Sequence, residues 1–151
     1  SLAEVIKKTT GKDITNYPGA GAAGGMGGGL LAFFNAELKP GTELLLKAID
    51  FSEKIKGADL IITGEGKADR QTAMGKVPYG ILKEAQKEHI PVIVLAGSIE
   101  NLPELNKAGF KGIFSIAPGP ITLEKAMEPE FAKENITRLV SQLYSVITSF
   151  G

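Results

Sequence analysis

Two carboxylates, Glu65 and Asp69, lie close together in the stretch Gly64-Glu65-Gly66-Lys67-Ala68-Asp69-Arg70-Gln71-Thr72-Ala73-Met74-Gly75-Lys76. Hard carboxylate oxygens are what Mg²⁺ takes when it keeps most of its waters, and the same groups serve acid–base work. Gln71 and Thr72 add uncharged donors and acceptors suited to a polyol or carboxylate substrate. Lys76 falls at the start of an expected helix, where its ammonium and the exposed N–H groups of the first turn can hold a phosphate or a carboxylate. Each residue also has an ordinary role. Asp69 can close an Asx-turn on its own loop, Glu65 can pair with Lys67 or Arg70 at the surface, and Lys76 can be merely solvated. The cluster weighs more than its members, because a polar, glycine-bearing loop after a buried strand is where open α/β sheets build ligand sites.

Other motifs fare unevenly. Gly19-Ala20-Gly21-Ala22-Ala23-Gly24 spells GxGxxG, yet Tyr17-Pro18 precedes it instead of an apolar strand, so the dinucleotide frame is missing. Close helix packing, or a helix N-terminus facing an anion, accounts better for Gly19, Gly21 and Gly24. Gly75-Lys76 invites comparison with a phosphate-binding P-loop. That pattern needs a glycine where Arg70 stands and a hydroxyl where Val77 stands, so it fails. Ser98 follows Leu95-Ala96 at another expected strand end, where it can touch a shared ligand or cap a helix. His89, the sole histidine, sits at an expected helix C-terminus, which suits a dipole contact and makes a histidine triad or zinc site improbable.

These residues need elements to position them. Residues 60–63, 92–96 and 113–117 read as three short buried strands, with helical patterns between them. One helix begins near Val77 with Pro78 in its first turn and ends by His89; another spans residues 102–108 and stops at Gly109. Alternating strands and helices imply a parallel, three-layer Rossmann-like sheet. Upstream, Leu2, Val5 and Ile6 mark a helix, and a second runs from about Ala22 to Asn35. Thr42 is placed to cap a helix carrying Leu44, Leu45, Ala48 and Ile49, and Ser52 to cap a short turn with Ile55. Phe131, Ile136, Leu139, Val140, Leu143, Val146, Ile147 and Phe150 form a stripe expected to be core against one sheet face.

Composition sets the outer limits. The 151 residues are 43% hydrophobic, and seventeen basic residues balance seventeen acidic ones. Charge therefore directs the chain toward neither nucleic acid nor membrane. The lack of cysteine excludes disulfides and thiolate metal sites and suits a soluble cytoplasmic protein. Three strands are few for a doubly wound sheet, whose usual count is about five or six. The chain opens at Ser1 without a methionine, so a fragment with strands missing upstream is the expectation. Its exposed sheet edges could pair two copies into a homodimer.

The run from Pro18 to Gly27, then Asp59-Leu60-Ile61-Ile62-Thr63-Gly64-Glu65-Gly66, Asp69, Gln71-Thr72, Gly75-Lys76 and Leu95-Ala96-Gly97-Ser98, resembles the C-terminal part of the bacterial type I glycerate kinases. The resemblance covers nearly the whole chain in order. It implies two α/β domains with a site in the cleft between them, ATP and Mg²⁺ as cofactors, and phosphorylation of D-glycerate to 2-phosphoglycerate. Residues 1–41 would be a glycine-rich helical segment of the second domain, and residues 42–151 the C-terminal portion of the Rossmann-like one. Asp69 and Lys76 would be catalytic, and Glu65 and Asp69 would hold the metal. Gly19, Gly21, Gly24, Gly64, Gly66, Gln71, Thr72 and Ser98 would bind substrate or nucleotide. The family's Asp-Ser-Phe-Lys-Gly signature is absent, so the isolated chain is expected to be inactive. The alternatives are a stand-alone small-molecule or anion-binding α/β module and, more remotely, an NAD-dependent oxidoreductase domain.

Overall fold

A strand covered on both faces needs unbroken apolar sequence. Val92, Ile93, Val94, Leu95 and Ala96 provide it, and all five are buried in the central strand of a three-stranded sheet. The computed structural model describes residues 1–34, 36–100 and 102–149. Its elements run α1 (Leu2–Thr10), α2 (Ala22–Phe34), α3 (Gly41–Ala48), α4 (Phe51–Lys54), β1 (Ile61–Ala68), α5 (Val77–Lys87), β2 (Val92–Ile99), α6 (Leu102–Ala108), β3 (Gly112–Ser115), α7 (Leu123–Ala126) and α8 (Pro129–Thr148). The chain divides into two compact units, Ser1–Gly41 and Thr42–Gly151.

The second unit holds a partial Rossmann-like sheet with strand order β1-β2-β3 and both pairings parallel. Ile61 lies opposite Val92 and Ala68 opposite Ile99; Ile93 lies opposite Gly112 and Ala96 opposite Ser115. Leu82 and Ala85 of α5 and Leu105 of α6 join Val92, Val94 and Ala96 in one buried cluster. Both crossover helices therefore cover the same face, as connections of one hand do when strand order follows the chain. Burying each large aliphatic side chain there contributes roughly 1.5–3 kcal/mol. At the end of α5, His89 takes a left-handed conformation (φ 58). Its N–H donates to the Gln86 carbonyl and that of Ile90 to the Ala85 carbonyl. This is a Schellman closure with histidine in the position glycine usually fills, and it turns the chain directly into β2.

In the first unit, Ile6, Ile14, Ala20 and Ala32 form a small core. The α2 segment is interrupted at Ala23, Gly24 and Gly25, which have φ of 51, 68 and 95, so regular helix begins only beyond them. Gly28 packs so tightly that its N–H donates to the Ala20 carbonyl at 2.8 Å, and an added Cβ would meet Ile14 Cδ1 at 2.6 Å. Lys12 Nζ donates to the carbonyls of Leu31 and Ala32, closing the far end of α2. Of the expected first-helix face, Ile6 is buried while Leu2 and Val5 stay exposed.

Several expectations need correction. Strand β1 does not stop at Thr63. It continues to Ala68 because β2 offers a partner backbone the whole way, with Glu65 opposite Ala96 and Lys67 opposite Ser98. Gly64, Glu65 and Gly66 are thus strand residues, Ser98 lies inside β2, and the loop is residues 69–76. Strand β3 ends at Ser115 and omits Ile116 and Ala117. Thr42 falls inside α3, and the cap position of α4 is Asp50, while the Ser52 hydroxyl donates to Glu84 instead. The α8 stripe is not core. Ile136, Val146 and Ile147 are 42%, 56% and 48% exposed, and the residue that α8 buries is Asn135. Asn35 and Phe150 lie outside the described residues.

The close approach of the strand ends depends on Gly97, where a Cβ would sit 2.8 Å from the Gly66 carbonyl oxygen. Gly97→Ala is expected to destabilise the fold by about 1–3 kcal/mol through overpacking, measured as a lower denaturation midpoint in urea with an unchanged slope.

Candidate active site

Strand β1 delivers Asp69 to the carboxyl edge of the sheet, and the next seven residues fold back on its carboxylate. Asp69 Oδ1 accepts the N–H of Gln71 at 2.9 Å, the N–H of Thr72 at 3.3 Å and the Lys76 ammonium at 3.4 Å. The bond from the Gln71 N–H to Oδ1 makes an Asx-turn, and the Asp69 carbonyl accepts the Thr72 N–H at 3.0 Å, so a β-turn overlies it. Oδ2 accepts no hydrogen bond from any described residue. The carboxylate is thus gripped on one side and open on the other, with 21% of the side chain exposed. Burial works against its ionisation. The Thr72 N–H, the Lys76 ammonium and the Gln71 N–H together outweigh that and hold the carboxyl below the usual range. At neutral pH Asp69 is therefore an anion and a weak base.

Thr72 is fully buried. Its hydroxyl accepts the Asp69 N–H at 3.1 Å and lies 3.4 Å from the Lys67 carbonyl, to which it donates. The hydroxyl thus donates to the end of β1 and accepts from the first residue of the loop. Gln71, by contrast, leaves its side chain exposed. Lys76 is half-buried beside Asp69, but the first turn of α5 offers few donors. Pro78 has no N–H, and those of Tyr79 and Gly80 return to the Lys76 carbonyl. An anion there would meet the ammonium more than the helix.

Glu65 and Asp69 are not drawn into one tight knot, since an extended strand from Glu65 to Ala68 spans roughly 10 Å. Among the described residues no group of three or more Asp, Glu or His side chains converges as a metal cage. An ion that keeps its waters and rests on one or two carboxylates needs no such cage, so the exposed Oδ2 of Asp69 fits Mg²⁺. Lys67 pairs with Glu100 at 2.8 Å, not with Glu65. That contact was not legible locally, because it requires the register of two strands. Gly64 and Gly66 are exposed on β1, and Ser98 is exposed on β2 beside Lys67. In the other unit, Gly19 and Gly24 take left-handed turns, while Gly21 has open space where a Cβ would stand.

The family model described as the glycerate kinase family matches residues 1–148. The chain belongs to the glycerate kinase family. It is 45% identical over 128 residues to a glycerate kinase of Halalkalibacterium halodurans, covering 84% of this chain and 34% of that one. It is 44% identical over 137 residues to the glycerate 2-kinase of Escherichia coli K12, covering 90% and 35%. The crystal structure of a Salmonella typhimurium LT2 protein assigned as glycerate kinase 2 superposes with a TM-score of 0.69 at 34% identity, over 98% of this chain and 37% of that one. The chain thus spans about a third of the length of the curated glycerate kinases it matches. Among the described residues no helix is long and apolar enough to cross a membrane.

The lowered Asp69 pKa carries a stability consequence. A carboxyl depressed in the folded state contributes stability that is present above its unfolded pKa and is lost as pH falls through the folded one. Replacing Lys76 by Met removes a cation that favours ionisation. By carbon-detected NMR, the Asp69 titration midpoint is expected to move upward, and the acid-unfolding edge to shift to higher pH.

Proposed function

We propose that this chain supplies one wall of the site of a kinase that transfers the γ-phosphoryl group of ATP to D-glycerate, giving 2-phosphoglycerate. The observation that carries the reading is Asp69, held through Oδ1 with Oδ2 open, on a strand-end loop in a chain of the glycerate kinase family. The name of the E. coli relative, glycerate 2-kinase, supports the choice of hydroxyl. On this reading Ser1–Gly41 belongs to the second domain of the family and Thr42–Gly151 to its Rossmann-like domain. The other residues of the site come from the two-thirds of the relatives' length that this chain does not span. A cytoplasmic location, where ATP is plentiful, fits the same reading.

Phosphoryl transfer depends mainly on positioning and charge neutralisation, and each residue is suited to one of these. Asp69 orients the glycerate hydroxyl by accepting its hydrogen bond through Oδ2; its depressed pKa makes it a poor store for that proton. Asp69 would hold Mg²⁺, with Glu65 supporting its water shell from a distance, and the ion would supply charge neutralisation for the phosphates. Lys76 balances Asp69 in the free protein and is placed to meet a phosphate or the glycerate carboxylate. Gln71 offers an exposed amide to substrate hydroxyls. Gly64, Gly66 and Ser98, and in the other unit Gly19, Gly21 and Gly24, offer backbone that a ligand can approach without a large side chain in the way.

In the kinase-active form containing this chain, Asp69→Asn should lower kcat by about 10²–10⁴-fold. Turnover near wild type with an unchanged Mg²⁺ dependence would sink the assignment. The 151-residue chain alone should show no turnover in a coupled assay and no tight calorimetric binding of ATP·Mg²⁺ or glycerate. Tight binding would favour a stand-alone binding module instead.

A further inference from the structure

We infer that Thr72 is the positioning residue of Asp69: its buried hydroxyl locks the Asp69 main chain to the end of β1, while its N–H holds Oδ1 and leaves Oδ2 to face the substrate. The inference rests on the proposed role of Asp69 and deepens it. The chain of contacts is short. The Lys67 ammonium is paired with Glu100 at 2.8 Å, and the Glu100 N–H donates to the Ala68 carbonyl at 2.7 Å, so the end of β1 is tied to the end of β2. The Lys67 carbonyl, fixed by that tie, accepts the Thr72 hydroxyl, and the hydroxyl oxygen in turn accepts the Asp69 N–H. Meanwhile the Thr72 N–H donates to Oδ1 and to the carbonyl of Asp69. One residue thus holds the aspartate at three points: its own N–H, its carbonyl and one carboxylate oxygen.

No other described side chain does this. The Gln71 N–H and the Lys76 ammonium both reach Oδ1 but leave the Asp69 main chain alone. Without the hydroxyl, the Asp69 N–H and the Lys67 carbonyl would lose their link, and the main chain that carries the carboxylate would no longer be tied to the end of β1. Thr72 itself has no exposed surface with which to meet a substrate.

Three variants separate positioning from direct binding and from bulk packing. Thr72→Val keeps the shape and removes the hydroxyl, Thr72→Ser keeps the hydroxyl, and Thr72→Ala is held in reserve should valine prevent folding. In the 151-residue chain, amide hydrogen exchange at Asp69 should accelerate about tenfold in Thr72→Val, the worth of one hydrogen bond. The β1 and β2 amides should be unmoved, and Thr72→Ser should match wild type. In the kinase-active form, Thr72→Val should lower kcat about a hundredfold, the cost of a misplaced reacting group. The KM values for ATP and glycerate should stay unchanged, and serine should restore kcat. Unaltered Asp69 exchange in the hydroxyl-less variants would overturn the inference, as would a rise in the glycerate KM at constant kcat, which would mean direct contact. If serine, with its hydroxyl intact, lost the Asp69 protection, the inference would fall as well. Failure of the proposed role of Asp69 is distinguishable: Asp69→Asn would then leave turnover untouched while the exchange pattern of the Thr72 variants held.

Discussion

The parallel pairing of β1 with β2 along their full length is the constraint on which the second unit depends. Eight residues of β1 run beside eight of β2, and most of that contact would be lost if β1 ended at Thr63, where its apolar run ends. The extension is sterically possible because Gly97 has no side chain at the point where the Gly66 carbonyl approaches. It also sets where the loop after β1 departs. If β1 ended earlier, Asp69 would sit in the middle of a wandering connection; with it, Asp69 is the first residue beyond a fixed rail.

At the end of that rail stands a carboxylate defined more by hydrogen bonds than by ionic contacts. The lysine beside it lies 3.4 Å away, a long ion pair, whereas two backbone N–H groups meet the same oxygen. Backbone donors cannot swing away as a lysine side chain can, and they are not screened by salt to the same degree. Lys76 is therefore free to change partners without undoing the geometry of Asp69.

Much of the architecture was legible in the sequence, and the misses have a common cause. Val92 through Ala96 announce a strand buried on both faces, and Pro78 and Gly109 punctuate the crossover helices where the structure begins and ends them. The extension of β1 through Gly64, Glu65 and Gly66 was not legible, since such residues have low strand propensity and are held only by a partner far along the chain. The apolar stripe of α8 correctly signals a helix, but periodicity says nothing about what the stripe meets, and Val146 and Ile147 meet solvent. At the site, Asp69 and Lys76 stand out by type, and the structure brings them together. Thr72 was legible as a hydrogen-bonding residue, whereas the inward course of its hydroxyl depends on the three-dimensional path of the Lys67 carbonyl.

The order of the sheet has a consequence for how the protein is made. Among the described residues, each strand pairs with the next one in the chain. Once β2 leaves the ribosome it can dock on β1 with α5 already folded between them, and β3 then adds to an existing edge. Domains emerge from synthesis at about 5–20 residues per second, slow compared with the microseconds to milliseconds in which helices and local pairings form. The carboxyl edge of β1 and β2, and with it the seat of Asp69, can therefore be complete before the ribosome has finished α8.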